Sequence, residues 1–522
     1  MRYRYFVRIS MYLVVIGWAI ALSAAVRLPA VISNNMVLQR EQPIPIWGWA
    51  EKDEEIIVRI AGQILSTKAG NNGQWRVMLD ELELGQPLEM TIQGSTGNTL
   101  TLKNILVGEV WLCSGQSNME MRVSSCNNAE AEIAVANHPQ IRLLSVPFKG
   151  TQEPQRDFKS RWVRCSPETV GSFSAAAYYF GRKLHHNLNV PIGLIHCSWG
   201  ASSCEAWIKR SVLKVNPQYK PMLRSWDKRM RNFDPHDVEE AERQYASWRK
   251  QLAAAKAAGK EPPKAPGNLR DWVNTMFDVR RRPANCYNGM LLPLVPYAIR
   301  GVIWYQGETN VDRAYQYRQL FPLLISQWRD DWGQGDFPFY FVQLCNHMPV
   351  KEQPGDSTWA ELREAQAMTL RVPNTGMAVT IDIGDAIDIH PKNKQDVGGR
   401  LARWALAKTY GKHIVYSGPL YKSMKINNDQ IVIHFDHTGS GMISKDGKPL
   451  KGFAIAGSDK KFVWAEVDIV GETVVVSSSG VPNPVAVRYA WADNPLCNLY
   501  NHEGLPASPF RTDTWKGVTS LD

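Results

Sequence analysis

The sequence predicts an α/β protein built on a parallel sheet, with β-rich regions on either side. Three observations carry that prediction. Between about Val107 and Tyr410, apolar strand-like segments alternate with amphipathic helical stretches. The strands in that region are apolar throughout instead of alternating, the pattern of strands covered on both faces. Before and after it, the chain is a succession of short β-type segments separated by Gly, Asn and Asp turns.

Residues 1–25, "MRYRYFVRISMYLVVIGWAIALSAA", have the form of a secretory signal peptide. Three arginines open it, Met11 to Leu22 form an apolar run, and Ser23-Ala24-Ala25 offers small residues for cleavage. The run is short for the ~30 Å core of a bilayer, so no stable membrane span is expected after cleavage, and the protein is expected in the periplasm or outside the cell. Residues 26–106 contain "PIPIWGWA", "EIIVRIAG" and "LEMTIQG" and read as a small β-sandwich-like domain. Residues 107–410 form the α/β region, with strands at "GEVWLCSG", "IGLIHCSWG", "IRGVIWYQG", "FPFYFVQLC" and "GMAVTIDIG". A charged, alanine-rich stretch near 215–270 reads as a helical surface insertion, and residues 411–522 return to β texture.

Composition narrows the function classes. The chain has 522 residues, 44% of them hydrophobic, enough for sizeable cores. Its formal charge of +10 is spread without a Lys/Arg block, and the leader accounts for three of those charges, so nucleic acid is not an expected partner. The eight cysteines contain no CxxC pair and suggest no zinc ribbon. In an exported chain they are open to pairing in about a hundred ways. Cys113, Cys197 and Cys345 lie inside apolar strands and are expected to be buried as small hydrophobes.

In open α/β sheets, ligands bind beyond the carboxyl ends of the strands. Four strands here end in polar, Gly-containing loops: "SGQSNM" (114–119), "SWGASS" (198–203), "YQGETN" (305–310) and "IDIGDAIDIHP" (381–391). A serine at the first strand end, a histidine at the last, and amide donors between them are the components of acyl transfer. No cofactor or metal is called for by these residues.

The ordered blocks "GEVWLCSGQSNMEM", "CSWGASSCEAWI", "GVIWYQGETN" and "DIDIHPKNK" resemble the sialate O-acetylesterase family of SGNH-type hydrolases, in its exported bacterial form. The segments "LPAVISNNMVLQR" and "VRYAWADNPLCNLYNHEGLPASPFRTD" extend the resemblance over nearly the whole mature chain. It implies a flavodoxin-like core and a serine esterase that removes O-acetyl groups from sugars, typically sialic acids. Acetylxylan and other acetylated polysaccharides are the alternative substrates. Ser117 would be the nucleophile, His390 the general base, and the N–H groups of Ser117 and Gly200 oxyanion donors. The third block normally supplies an asparagine; here Gln306 is the nearest amide and Asn310 its competitor. Glu308 would orient the site or bind substrate hydroxyls, and Trp199 and Trp304 adjoin the motifs as candidate sugar platforms.

The orienting acid departs from the family pattern. An aspartate usually stands three residues before the histidine, where this chain has Ile387. Asp388 reaches the imidazole if the stretch is strand-like, and Asp385 if it folds back as a turn. A Ser–His dyad is the remaining option. Two other classes are a non-catalytic carbohydrate-binding protein and a metal-dependent hydrolase using Asp382, Asp385, Asp388 and His390.

Overall fold

The computed structural model describes residues 26–231, 235–264 and 279–520. The proposed leader, residues 1–25, and part of the 215–270 insertion lie outside the described residues; the insertion's helices Lys220–Met230 and Pro235–Ala257 lie within them.

An eleven-stranded sheet runs through the molecule. The strands that position the site are β1 (Val37–Gln39), β2 (Glu55–Ile60), β3 (Leu88–Gly94), β4 (Thr99–Gly115), β5 (His138–Ser145), β6 (Ile192–Ser198), β7 (Gly301–Tyr305), β8 (Phe339–Val342) and β9 (Thr375–Ala378). Within the α/β region, β6, β4, β7, β8 and β9 pair in that order, all parallel. This is the flavodoxin-like order 2-1-3-4-5, whose switch point falls between the first and third strands, here β4 and β7. All five segments expected from the sequence are strands. The sequence reading missed β5, which adds a parallel strand outside β6.

Alternate residues of β4 feed two separate cores. Val110 and Leu112 pack with Trp304, Phe341 and the helices α3 (Ala314–Trp332) and α4 (Thr358–Met368) on one face. Trp111 and Cys113 pack with Tyr305, Tyr340 and the helices α2 (Ala175–Leu188) and α5 (Lys394–Trp404) on the other. Both faces are therefore covered, which is why the strands carry no polar alternation. Helices α2 and α5 touch at Gly398, where a Cβ would stand 2.6 Å from the Phe180 backbone nitrogen. Ser174, Ser357 and Asn393 cap α2, α4 and α5 with their side-chain oxygens.

β4 is 17 residues long and joins the N-terminal β region to the α/β core. Its first half pairs with β3 and its middle with β1, and its second half lies between β6 and β7. The expected boundary at 106/107 falls inside this strand. Glu109, fully buried on β4, holds Arg300 at 2.7 Å and also pairs with Arg40 of the N-terminal region. Beyond residue 411 come two four-stranded antiparallel sheets with their own core. All eight cysteines are free thiols, and Cys113, Cys197 and Cys345 are buried as expected. No helix of the described residues is long and apolar enough to cross a membrane.

Candidate active site

The Ser117 turn sits at the switch point. β4 ends at Gly115, whose φ of +138° suits glycine. A Cβ there would lie 2.1 Å from the Tyr305 carbonyl oxygen, so the backbone passes hard against the end of β7. The Gln116 N–H donates to that carbonyl at 2.9 Å, and the chain turns into α1 (Ser117–Glu120). Ser117 opens the helix and is partly exposed, while Asn118 and Met119 behind it are buried. Met119 and Glu120 donate to the Gln116 carbonyl, leaving the N–H groups of Ser117 and Asn118 without an intrahelical acceptor.

Gly200 is brought to Ser117 as the sequence implied. A Cβ on Gly200 would stand 3.4 Å from the Ser117 Cβ. Its N–H is already committed, however: it donates to Glu120 Oε2 at 2.5 Å. Burial raises the pKa of Glu120, against the opposing pull of the Gly200 hydrogen bond and of Arg280 and Arg122. Trp199, partly exposed, stacks on Phe148 at 5.5 Å with Arg280 over its ring. Trp304 does not take the place expected of it. It is fully buried among Trp207, Phe321 and Trp328 and is core, not a sugar platform.

The third loop also departs from expectation. Gln306 is fully buried; its amide donates to Asn310 Oδ1 at 2.7 Å and accepts from the Tyr317 hydroxyl at 2.9 Å. Asn310 accepts from the Cys204 N–H and donates to Glu205. Both amides brace the second loop against the third, and neither is offered as an oxyanion donor. Glu308 turns inward as well. Its Oε1 accepts from Asn118 Nδ2 at 2.6 Å, and its Oε2 is buried without a hydrogen-bond partner. Burial raises its pKa. Its carboxylate is thus turned toward Asn118, the residue after Ser117, and away from the surface.

The fourth loop, after β9, is a run of turns and bends instead of strand. His390 is 42% exposed, and its Nδ1 lies 3.6 Å from Asp388 Oδ1, too long for a hydrogen bond. The same Asp388 oxygen accepts from the His390 N–H at 2.8 Å. Asp385 turns its carboxylate to the N–H groups of Ile387 and Asp388, and Asp382 is clasped by Arg400 at 2.6 and 2.8 Å. Asp388 is thus the carboxylate nearest the imidazole. Burial lowers the His390 pKa; Lys394 and His347 lower it further, and Asp388 opposes them. Among the described residues no group of three or more His, Cys, Asp or Glu side chains is placed to hold a metal ion.

Residues 107–239 and 271–407 match the family model described as carbohydrate esterase, sialic acid-specific acetylesterase. The chain belongs to this family. It is 31% identical to mouse sialate O-acetylesterase over 93% of this chain and 94% of that protein, and 30% identical to the human one over 93% and 92%. Among solved structures, a carbohydrate acetylesterase from Xanthomonas citri superposes with a TM-score of 0.79 at 36% identity, covering 94% of this chain and 100% of that one. The protein is accordingly an esterase acting on O-acetylated carbohydrate, and the purely sugar-binding alternative falls away.

Sequence reasoning singled out neither Asn118 nor Glu120, and it passed over Lys394 altogether. Lys394 lies on the first turn of α5 with no exposed surface, donating to Asn118 Oδ1 at 2.8 Å and to the Pro391 carbonyl at 2.6 Å. A signal was present in the sequence. The first turn of a helix favours acids over bases, so a lysine four residues after the histidine is out of place unless something else holds it.

Proposed function

We propose that this esterase removes O-acetyl groups from sialic acids through a Ser117 acyl-enzyme, with His390 as general base. The observation that carries the reading is a single hydrogen bond. Asn118, the neighbour of Ser117, donates to the carbonyl of Ile389, the neighbour of His390, at 3.0 Å. Residues far apart in sequence are thereby held on one edge of the sheet.

In this reading the Ser117 hydroxyl attacks the acetyl carbonyl while the neutral imidazole takes its proton. The lowered His390 pKa keeps that imidazole neutral at physiological pH. The imidazolium then protonates the departing sugar oxygen, which leaves as the free hydroxyl, and water, deprotonated by the same ring, attacks the acetyl-serine and releases acetate and the Ser117 hydroxyl. Asp388, 3.6 Å from the ring, steadies the imidazolium through its charge. The Ser117 N–H supplies one oxyanion donor. The Gly200 N–H becomes the second when the Glu120 carboxylate gives it up. The relationship to the mammalian sialate O-acetylesterases supports sialic acid as the sugar, and the positive potential of Arg122 and Arg280 beside the Ser117 turn suits its carboxylate. We also infer export from the leader-like residues 1–25.

Two measurements test the proposal. Labelling with a serine-directed phosphonate, followed by peptide mapping, should place the adduct on Ser117, and an adduct elsewhere would sink the mechanism. Acetate release should be faster from O-acetylated sialic acids than from acetylated xylan. The reverse order would keep the chemistry and replace the substrate.

A further inference from the structure

We propose that Lys394 is a positioning residue for the esterase reaction, its buried ammonium locking the loop that carries His390 to the turn that carries Ser117. This rests on the Ser117–His390 reading and goes beyond it, assigning to a lysine the task that an orienting aspartate performs in a tight triad.

The geometry is a two-point clamp. Asn118 Nδ2 donates to the carbonyl before His390, that of Ile389, at 3.0 Å. Lys394 Nζ donates to the carbonyl after it, that of Pro391, at 2.6 Å, and with another proton to Asn118 Oδ1 at 2.8 Å. The backbone on both sides of the histidine is thus tied to one side chain, and that side chain follows the serine directly. Asn118 is itself fixed from the other direction by Glu308 Oε1 at 2.6 Å. Asn118 and Lys394 have no exposed surface. A lysine suits the place because its compact ammonium offers three donors to acceptors at different angles, which a planar guanidinium does not.

The clamp matters because the usual support is weak here. Asp388 is half exposed and does not hydrogen-bond the imidazole, so it does little to hold the ring against solvent. Backbone anchoring at residues 389 and 391 supplies the placement instead. A displacement of about 1 Å in such a pair lowers rate by about 10²-fold.

Lys394 also acts on the base through its charge. The groups facing it are Glu308 from the loop after β7, Cys345 from the loop after β8, Cys126 from the segment after α1, and Asp388 and His390 from its own loop; the Tyr305 ring lies 5.5 Å from Nζ. Burial brings the lysine down to about 8. While charged, it disfavours the imidazolium of His390, as His347 does, and Asp388 favours it.

Lys394→Met, Lys394→Gln and Ser117→Ala should be compared by steady-state kinetics and pH profiles on an aryl acetate and on an O-acetylated sialic acid. Lys394→Met should lower kcat about 10²-fold with KM changed less than about two-fold. Its acidic limb in kcat/KM should move to higher pH, because a positive charge that opposed the imidazolium is gone. Lys394→Gln keeps a donor without the charge; it should recover to within about ten-fold of the parent kcat while its limb stays shifted. If Lys394→Met does not fold, the glutamine variant decides. Parental kcat with an unmoved limb in either variant, beside an inactive Ser117→Ala, would overturn the clamp alone. A loss of kcat that tracks lost thermal stability, with the limb unmoved, would assign Lys394 to folding and also overturn it. Full activity in Ser117→Ala would instead overturn the serine mechanism on which the proposal rests.

Discussion

The floor and the rim of the site contain similar residue types but use them differently. On the floor, Asn118, Gln306, Glu308, Asn310 and Lys394 are buried and spend their polar atoms on one another and on backbone carbonyls. On the rim, Ser117, Trp199, Asp388 and His390 keep exposed surface. The contrast separates residues that hold the geometry from those that reach a substrate. Position in a motif does not separate them: Ser117 and Asn118 are adjacent, yet they belong to opposite sides of the division.

The largest expected effect falls on the rim. Ser117→Ala should lower kcat on acetyl esters by about 10³-fold or more with the melting temperature essentially unchanged, since removing the proposed nucleophile leaves only binding and oxyanion stabilisation. Retention of a tenth of the activity would erase the distinction at its most important residue. The floor should respond in stability. Gln306→Ala takes from the buried Tyr317 hydroxyl its 2.9 Å acceptor and removes the donor to Asn310 Oδ1 and the Ser202 carbonyl, at a cost of about 1–3 kcal/mol. Denaturant unfolding measures this, and a variant as stable as the parent would show that Gln306 is not the brace described.

Asp388→Asn comes next. Because the carboxylate stands 3.6 Å from the imidazole and is 49% exposed, its removal should cost about ten-fold or less in kcat, far from the ~10⁴ of a buried triad acid. A loss near that larger value would show that the pair closes in the transition state. The sign of the pH effect is fixed independently. His390 lies below the ordinary histidine value, so kcat/KM should rise through a limb below about 6.5 and be flat at neutral pH. Asp388 favours the imidazolium, so Asp388→Asn should move that limb to still lower pH, which a pH series on the two proteins would reveal. The smallest effect is expected at Trp199→Ala, which should raise KM a few-fold while leaving kcat nearly intact. An unchanged KM for the sugar ester would remove Trp199 from the binding surface.

Much of this architecture was legible in the sequence because strands covered on both faces must be apolar throughout, and five such runs are hard to mistake. β5 escaped notice because "HPQIRLLS" opens with polar residues and a proline, and only its second half is buried. The site was legible to the level of loops: blocks that end strands of one parallel sheet must meet at its carboxyl edge. Which polar atom points outward was not legible. Gln306 and Asn310 have the chemistry of oxyanion donors, and only the positions of Tyr317, Cys204 and Glu205 show that those amides are already engaged. Trp304 was misread similarly, since adjacency to a motif says nothing of the face a strand residue takes. Lys394 required knowledge that the start of α5 packs under Asn118, a contact between residues 276 apart.

The length of β4 also bears on how the protein is made. During synthesis the half of β4 that pairs with β1 and β3 emerges with its partners already translated, whereas the half that carries the Ser117 turn waits for residues 192–198 and 301–305. Until then, "VWLCSG" is an apolar strand with two open edges, the type of segment that invites pairing between chains. A folded N-terminal sheet gripping the same strand would hold that segment extended and correctly registered, so that sheet would serve as the template on which the sheet beneath Ser117 is laid down.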